Sequence, residues 1–358
     1  MEIMKRCFAL LLAGLLFPVC VFAQSGSGSS QTGAAKPKPS QQKAPPRVIV
    51  RSQIVVVPVT VKDGQGNLVA NLEEEDFRIF QDGIQQVITN FSDQALPMSV
   101  VVLLDDDLET RAAQQVQQSL DSVAAGFGPN DEVALVRFDE YPKTVLDFTS
   151  NNDALFAKLK DIRTNEKDGL DSRDSTSPSM AMTSPPRLNG QPIGPGANIP
   201  VVASTSGVTK HLDDAVHYAA DMLRKRPRDR RKIIFIISDG TNARYNQWNL
   251  NTTLQSLLSS NITVYAIAVG GILDRPEGIG HLTAYARQTG GDVFHALKQG
   301  DLERMYAELT EEARNQYTIV FSPTNTQGRG NYHTLEVRVE RPNLSVTARQ
   351  GYFAELQP

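Results

Sequence analysis

Through the middle of the chain, runs of apolar residues alternate with amphipathic stretches. Residues 100–104, 133–138, 233–237 and 262–269 are almost wholly apolar, as strands buried on both faces of a parallel sheet must be. Between them apolar side chains recur at helical spacing: Val116, Leu120, Val123 and Phe127; Leu212, Ala215, Val216, Ala219 and Leu223; Leu302, Met305, Tyr306, Leu309 and Ala313. Strand followed by helix, repeated, predicts an α/β fold with a doubly wound, mostly parallel sheet. In such sheets ligands sit at the carboxyl ends of the strands.

The flanks of this region follow a two-residue period instead. Ile54, Val55, Val56, Val57, Val59 and Val61 precede the turn Asp63-Gly64-Gln65-Gly66-Asn67, and residues 77–80 turn at Asp82-Gly83 into Val87 and Ile88. Pro58, which has no N–H to donate, suits an edge strand. Near the other end Leu335, Val337 and Val339 alternate with Glu336, Arg338 and Glu340. Neither flank is long enough for a comfortable core, so the β segments 48–93 and 316–358 are expected to pair into one small β domain around a central domain over 97–315. Residues 165–207 are rich in Ser, Pro, Gly and Asn and predict a flexible surface insertion. No internal repeat is visible.

The first 23 residues have a separate logic. Lys5 and Arg6 precede an apolar run over 7–22, broken only by Gly14 and Pro18, which ends in Val21-Phe22-Ala23. That is the pattern of a secretory signal cut after Ala23. A spanning helix needs about 20 residues, and a lipoprotein site before Cys20 would need a small residue where Phe17-Pro18-Val19 stands. Both cysteines, Cys7 and Cys20, fall in the signal, so the exported chain has neither disulfide nor thiolate chemistry. The product is periplasmic, surface-held or released, with no transmembrane span left after cleavage.

Charge changes the picture once the signal is gone. The chain has 36 basic and 40 acidic residues; losing Lys5, Arg6 and Glu2 leaves 34 and 39. Residues 24–47 hold four of the basic ones, Lys36, Lys38, Lys43 and Arg47, and no acid, among Ser, Gly, Gln and Pro. That is a flexible basic tether on a body of 30 basic and 39 acidic residues. Such a body is a poor partner for nucleic acid, which wants clustered positive charge.

Candidate chemistry lies at the strand ends. The first apolar strand runs into Asp105-Asp106-Asp107-Leu108-Glu109, and a later one into Ser238-Asp239-Gly240. Carboxylates gathered at one crevice repel unless a cation neutralises them, and hard cations such as Mg²⁺ or Ca²⁺ prefer oxygen ligands. This strand-Asp loop, a downstream Thr ahead of a helix and strand-Ser-Asp-Gly resemble the von Willebrand factor type A domain. Its metal-ion-dependent adhesion site uses Asp-x-Ser-x-Ser, a Thr and an Asp. Carried over, the resemblance implies metal ligation by Asp105, Thr209 and Asp239, with Asp107 and Glu109 in place of the two serines. Val57-Pro58-Val59-Thr60-Val61, Glu75-Asp76-Phe77, Gln86-x-Ile88, Phe91-Ser92 and Arg349-Gln350-Gly351-Tyr352-Phe353 are similar to a bacterial secreted branch of that family. The departure matters: serines leave a metal under-neutralised and open to a partner's acidic group, whereas four carboxylates hold it without a partner and repel an acidic one. An acidic loop that has lost its metal is the other reading.

Other signals carry less. The basic run over 224–232 suits a solvated turn opposite the site, with cations near a helix C-terminus. His211, His217, His281, His295 and His333 lack metal-ligand spacing, and there is no Gly-x-Ser-x-Gly elbow or phosphate loop. Trp248 is expected to pack on the helix that follows it. Asp105-x-Asp107 is also similar to the nucleophile loop of haloacid-dehalogenase-type phosphatases, but Glu109 stands where that family has Thr or Val, and no convincing lysine motif follows. The resulting expectation is an exported adhesion or protein-binding module, not an enzyme, with Mg²⁺ or Ca²⁺ as candidate metal. A structural envelope scaffold with a degenerate site is the alternative, and a Mg²⁺-dependent phosphatase a remote one.

Overall fold

The computed structural model describes residues 54–173, 187–188, 191–192, 210–270, 276–296, 300–324 and 332–354. The signal and tether lie outside the described residues. These described residues belong to one compact unit.

In chain order the elements are β1 (Val55–Lys62), a 3₁₀ turn (Glu74–Asp76), β2 (Phe77–Gln81), β3 (Ile84–Gln86), β4 (Ile88–Ser92), β5 (Met98–Asp105), α1 (Thr110–Ala125), β6 (Glu132–Phe138), β7 (Lys143–Thr149) and α2 (Asn152–Arg173). After the two-residue strands β8 (Arg187–Leu188) and β9 (Gln191–Pro192) come α3 (Leu212–Arg224), β10 (Arg231–Ser238), α4 (Leu250–Ser259), β11 (Ile262–Ala268), α5 (Pro276–Thr289), β12 (Val293–His295) and α6 (Asp301–Arg314). The chain closes with β13 (Tyr317–Phe321), β14 (Tyr332–Val339), β15 (Ser345–Ala348) and β16 (Gly351–Phe353).

The expected doubly wound sheet is present. Its strands run in the order β12-β11-β10-β5-β6-β7, parallel except for the antiparallel edge strand β7. Every residue of β5, β10 and β11 is buried, because helices cover both faces. Val116, Leu120, Leu155, Leu159, Leu302 and Leu309 from α1, α2 and α6 cover one face. Leu212, Val216, Leu254, Leu257, Leu282 and Tyr285 from α3, α4 and α5 cover the other. Each such side chain contributes about 1.5–3 kcal/mol when fully buried.

The two terminal β segments do pair, as two antiparallel four-stranded sheets, β15-β1-β13-β4 and β16-β14-β2-β3. Val57, Val59, Phe77, Ile79, Ile319, Phe321 and Tyr352 close a shared core between them. β1 is an inner strand, not the edge strand that Pro58 suggested. Its β13 pairing covers Val55 to Val59 and its β15 pairing only Val59 to Lys62, so Pro58 has a neighbour on one side alone, as at an edge, where a residue without an N–H is tolerated.

Two further differences have physical causes. α2 continues to Arg173, into the segment expected to be irregular, because the dense Ser and Pro begin only at Ser175; the remainder of the expected insertion, apart from β8 and β9, lies outside the described residues. The basic run over 224–232 does lie at the amino end of β10, away from Asp239, but it is less a solvated turn than a latch. Arg226 pairs with Glu132, Arg230 donates to Ser99 Oγ and the Met98 and Asn130 carbonyls, and Arg231 is buried against Gln316.

Candidate functional site

Counted from β5 as the first strand of the parallel sheet, the order is 3-2-1-4-5-6, and it reverses between β5 and β10. Open α/β sheets bind ligands at that switch point, outside the carboxyl ends of the strands. Leu104 and Ile237 lie opposite each other across it, so the residues that follow, Asp105 and Ser238, emerge side by side. The Ser238 hydroxyl donates to Asp105 Oδ2 at 2.6 Å and accepts the Gly240 N–H at 3.0 Å. Both acids bend their own chain outward: Asp105 Oδ1 accepts the Asp107 N–H at 3.1 Å, and Asp239 Oδ1 accepts the Thr241 N–H at 2.8 Å. Gly240, at φ 74°, completes the second bend in a region that favours glycine.

The cation between the two acids is a side chain. Lys210 Nζ donates to Asp105 Oδ2 at 3.1 Å and to Asp239 Oδ1 at 3.0 Å. The Asp105 and Lys210 side chains are only 0% and 3% exposed. Burial pushes the Asp105 carboxyl up to about 6, a rise that Lys210 and the Ser238 hydroxyl oppose and the Asp239 charge reinforces. Burial works against the charged form of Lys210 too, but the two carboxylates outweigh it and hold its pKa above the ordinary lysine value. The lysine is therefore a full cation at neutral pH.

Its main chain is held from both sides. The Lys210 carbonyl accepts the Ala243 N–H at 2.6 Å, and the next N–H, of His211, donates to the Asp139 carbonyl at 2.9 Å. Lys210 has no place in the sequence motif, which points instead to its neighbour Thr209, and Thr209 lies outside the described residues. One signal was available: a cation directly ahead of a helix N-terminus opposes the helix dipole unless carboxylates are close by.

Of the other expected ligands, Asp107 and Glu109 are exposed, Glu109 at the N-cap of α1. Asp106, between Asp105 and Asp107, pairs with Arg137. Among the described residues no three His, Cys, Asp or Glu side chains are gathered closely enough to hold a metal ion. The described geometry does not fit a divalent cation at this point, since an ammonium already fills the space between the carboxylates.

The loop after β10 is fastened to α3. Asn242 Oδ1 accepts the Leu212 N–H at 3.0 Å and an Asn246 Nδ2 proton at 3.0 Å. Asp214 accepts the Gln247 and Trp248 N–H groups at 3.0 and 2.7 Å. Trp248 stacks on His217 of the preceding helix, α3, with ring centroids 4.0 Å apart. Beneath, Asp213 accepts from Tyr285 OH at 2.6 Å and bonds His281 Nδ1 at 2.9 Å, a hydrogen bond that raises the His281 pKa against the effect of burial. On this scaffold Tyr245 is 82% exposed; Tyr141, on the loop after β6, is 73% exposed and lies edge-on to His211.

No protein-family model matches the chain, and no curated protein does. Solved structures are similar at a distance. An aerotolerance-related membrane protein from Bacteroides fragilis NCTC 9343 is 17% identical, over 60% of this chain and 99% of that one, with a TM-score of 0.37. BatB from Bacteroides thetaiotaomicron is 13% identical, over 60% and 98%, with a TM-score of 0.38. Proximal thread matrix protein 1 from the mussel byssus, solved with a zinc-occupied MIDAS motif, is 14% identical, over 62% of this chain and 49% of that one, with a TM-score of 0.40. Likenesses this loose carry no argument about site or function.

Proposed function

We propose that the chain is an exported protein-binding module of the type A kind, which engages its partner through the face at the carboxyl end of its central sheet. The observation that carries this reading is the pair Tyr141 and Tyr245, largely in water on two loops at that end, one of them fastened by Asn242, Asn246 and Asp214. Tyrosine offers a large amphipathic contact at low entropic cost, and a loop already held in place has less freedom to lose on binding. The surroundings are acidic, with Asp107, Glu109 and Glu140 exposed, which favours a partner surface free of excess negative charge.

Catalysis fits the site less well. The lysine that a phosphatase of the haloacid-dehalogenase kind would need does stand beside Asp105. Yet both Asp105 oxygens already accept hydrogen bonds and the side chain is 0% exposed, so neither oxygen is open for attack on phosphorus.

The test is site-specific photo-crosslinking in the organism that makes the protein, with a photoreactive residue at position 141, 245 or, as control, 228. A discrete adduct from 141 and 245 but not from 228, lost when the other tyrosine is replaced by alanine, supports the reading. Adducts from position 228 alone would sink it, and no adduct from any position favours the scaffold. Mass spectrometry of the exported chain is expected to find Gln24 at its start.

A further inference from the structure

We infer that the Lys210 ammonium is the resident cation of this site and stands in for a divalent ion, so that the site is complete without metal and becomes a metal site only when the lysine is removed. The inference is independent of whether the upper face binds a protein.

Four observations converge on it. First, Lys210 Nζ is equidistant, within 0.1 Å, from one oxygen each of Asp105 and Asp239, the two acids that the type A resemblance assigns to metal. Second, those oxygens stand 3.0 and 3.1 Å from the shared centre, an ordinary ammonium separation, whereas oxygen sits about 2.0–2.1 Å from Mg²⁺ and about 2.3–2.6 Å from Ca²⁺. Third, the lysine side chain is 3% exposed and extends from a main chain fixed at the Lys210 carbonyl by Ala243 and at the His211 N–H by Asp139, so the ammonium is delivered to the two acids from a fixed anchor. Fourth, Asp107 and Glu109 are exposed, so only Asp105 and Asp239 converge here, and the one ammonium between them already satisfies both.

The charges agree. Asp105, Asp239 and Lys210 together carry about one negative charge, already modest for a buried site, and a divalent ion entering beside the ammonium meets repulsion at contact distance in a place shielded from water. With the lysine gone, a buried carboxylate, Asp105, and a partly buried one, Asp239, face each other across the space it filled and lack any counter-charge. That arrangement is unstable as it stands and is relieved by a hard divalent ion. Sequence position supports the assignment, because Lys210 is the last residue before His211 caps α3, where a cation finds no favour from the helix and depends on the two acids.

The experiment is calorimetric titration of the full mature chain with Mg²⁺, Ca²⁺ and Mn²⁺, with melting temperatures recorded alongside, for wild type, Lys210→Arg, Lys210→Met and Lys210→Ala. Wild type and Lys210→Arg are expected to give no binding heat at millimolar metal and no metal-dependent melting shift. Lys210→Ala is expected to melt lower and to recover in metal, with an apparent affinity at least about tenfold above wild type. Lys210→Met keeps the stem but not the charge, so it is expected to melt lower without full recovery. Should Lys210→Ala not fold without metal, refolding that depends on added divalent ion supports the inference equally. Wild type that binds a divalent ion, with binding lost in Asp239→Ala, would overturn it. So would a Lys210→Ala protein with wild-type melting temperature and no gain in metal affinity.

Discussion

Asn242 caps helix α3 from thirty residues downstream. His211, at the N-cap position, offers no side-chain bond, and Asn242 Oδ1 accepts the Leu212 N–H in its place at 3.0 Å. The cap thus ties the loop after β10 to the helix that starts beside Lys210. One amide fixes both the display of Tyr245 and the position of the lysine.

Asn242→Ala is expected to cost about 0.5–2 kcal/mol, the usual range for a lost N-cap, and Asn242→Asp less, since a carboxylate still accepts and suits a helix N-terminus. Urea unfolding at neutral pH measures both. An unchanged midpoint in the alanine variant would remove the cap from the account.

The buried carboxyl of Asp105 makes stability depend on pH in a definite direction. Its folded pKa, raised to about 6 from the ordinary aspartate value of 3.8, means that the native state holds more protons than the unfolded chain between those values. Stability contributed by this group is therefore full below about pH 4 and lost as pH rises through about 6, by on the order of 3 kcal/mol. Lys210 stays charged across the window and adds no slope. Denaturant melts from pH 4 to 7 on wild type and Asp105→Asn isolate the effect: the difference between them should narrow as pH falls. A difference that does not change with pH contradicts the raised pKa.

A second ion pair, between a partly exposed lysine and a buried glutamate, joins the terminal β sheets to the α/β layer. Lys62 Nζ of β1 lies 2.6 Å from Glu312 Oε2 of α6, with the Glu312 side chain only 3% exposed. Burial pushes the glutamate up, partly offset by Lys62. Removing one member leaves an uncompensated charge, so Lys62→Met is expected to cost about 3–5 kcal/mol, while Lys62→Met with Glu312→Leu recovers most of it. A double-mutant cycle by chemical denaturation reads the coupling. Additive losses would show that the pair is not coupled.

The parts of this fold that were legible in the sequence are those with a strong period. Strands β5, β6, β10 and β11 announce themselves because both faces are buried, and α1, α3 and α6 because each has one apolar stripe. The edge strand β7 has no fully buried residue and leaves no comparable trace. At the site, Asp105 and Asp239 were legible because a carboxylate directly after a buried strand has few places to go. Lys210 was not, since nothing periodic relates it to either acid; only the placing of the start of α3 beside the ends of β5 and β10 brings it between them. Ser238 is read in the strand motif, but its bond to Asp105 depends on the register of β5 and β10, which periodicity alone does not set.

Arg231 shows how misleading a charge run can be. In sequence it is one of several basic residues in a row. In the structure it opens β10, is buried, and its guanidinium donates to the Gln316 carbonyl, to Gln316 Oε1 at 2.8 Å and to the Ala313 carbonyl at 3.4 Å. Burial lowers its pKa to about 10, which leaves it charged at neutral pH. The fork matters more than the charge, because it satisfies main-chain and side-chain acceptors at the junction of α6 and β13 together. Lysine supplies one point charge and cannot reach all three. Arg231→Lys is therefore expected to lose about 2–3 kcal/mol, the range for hydrogen bonds to a charged group and for stranded buried acceptors. Arg228→Lys, in the same run but exposed, is expected to change stability by less than about 0.5 kcal/mol. Thermal melts of the two variants side by side decide the matter, and equal effects would return the whole run to a solvated turn.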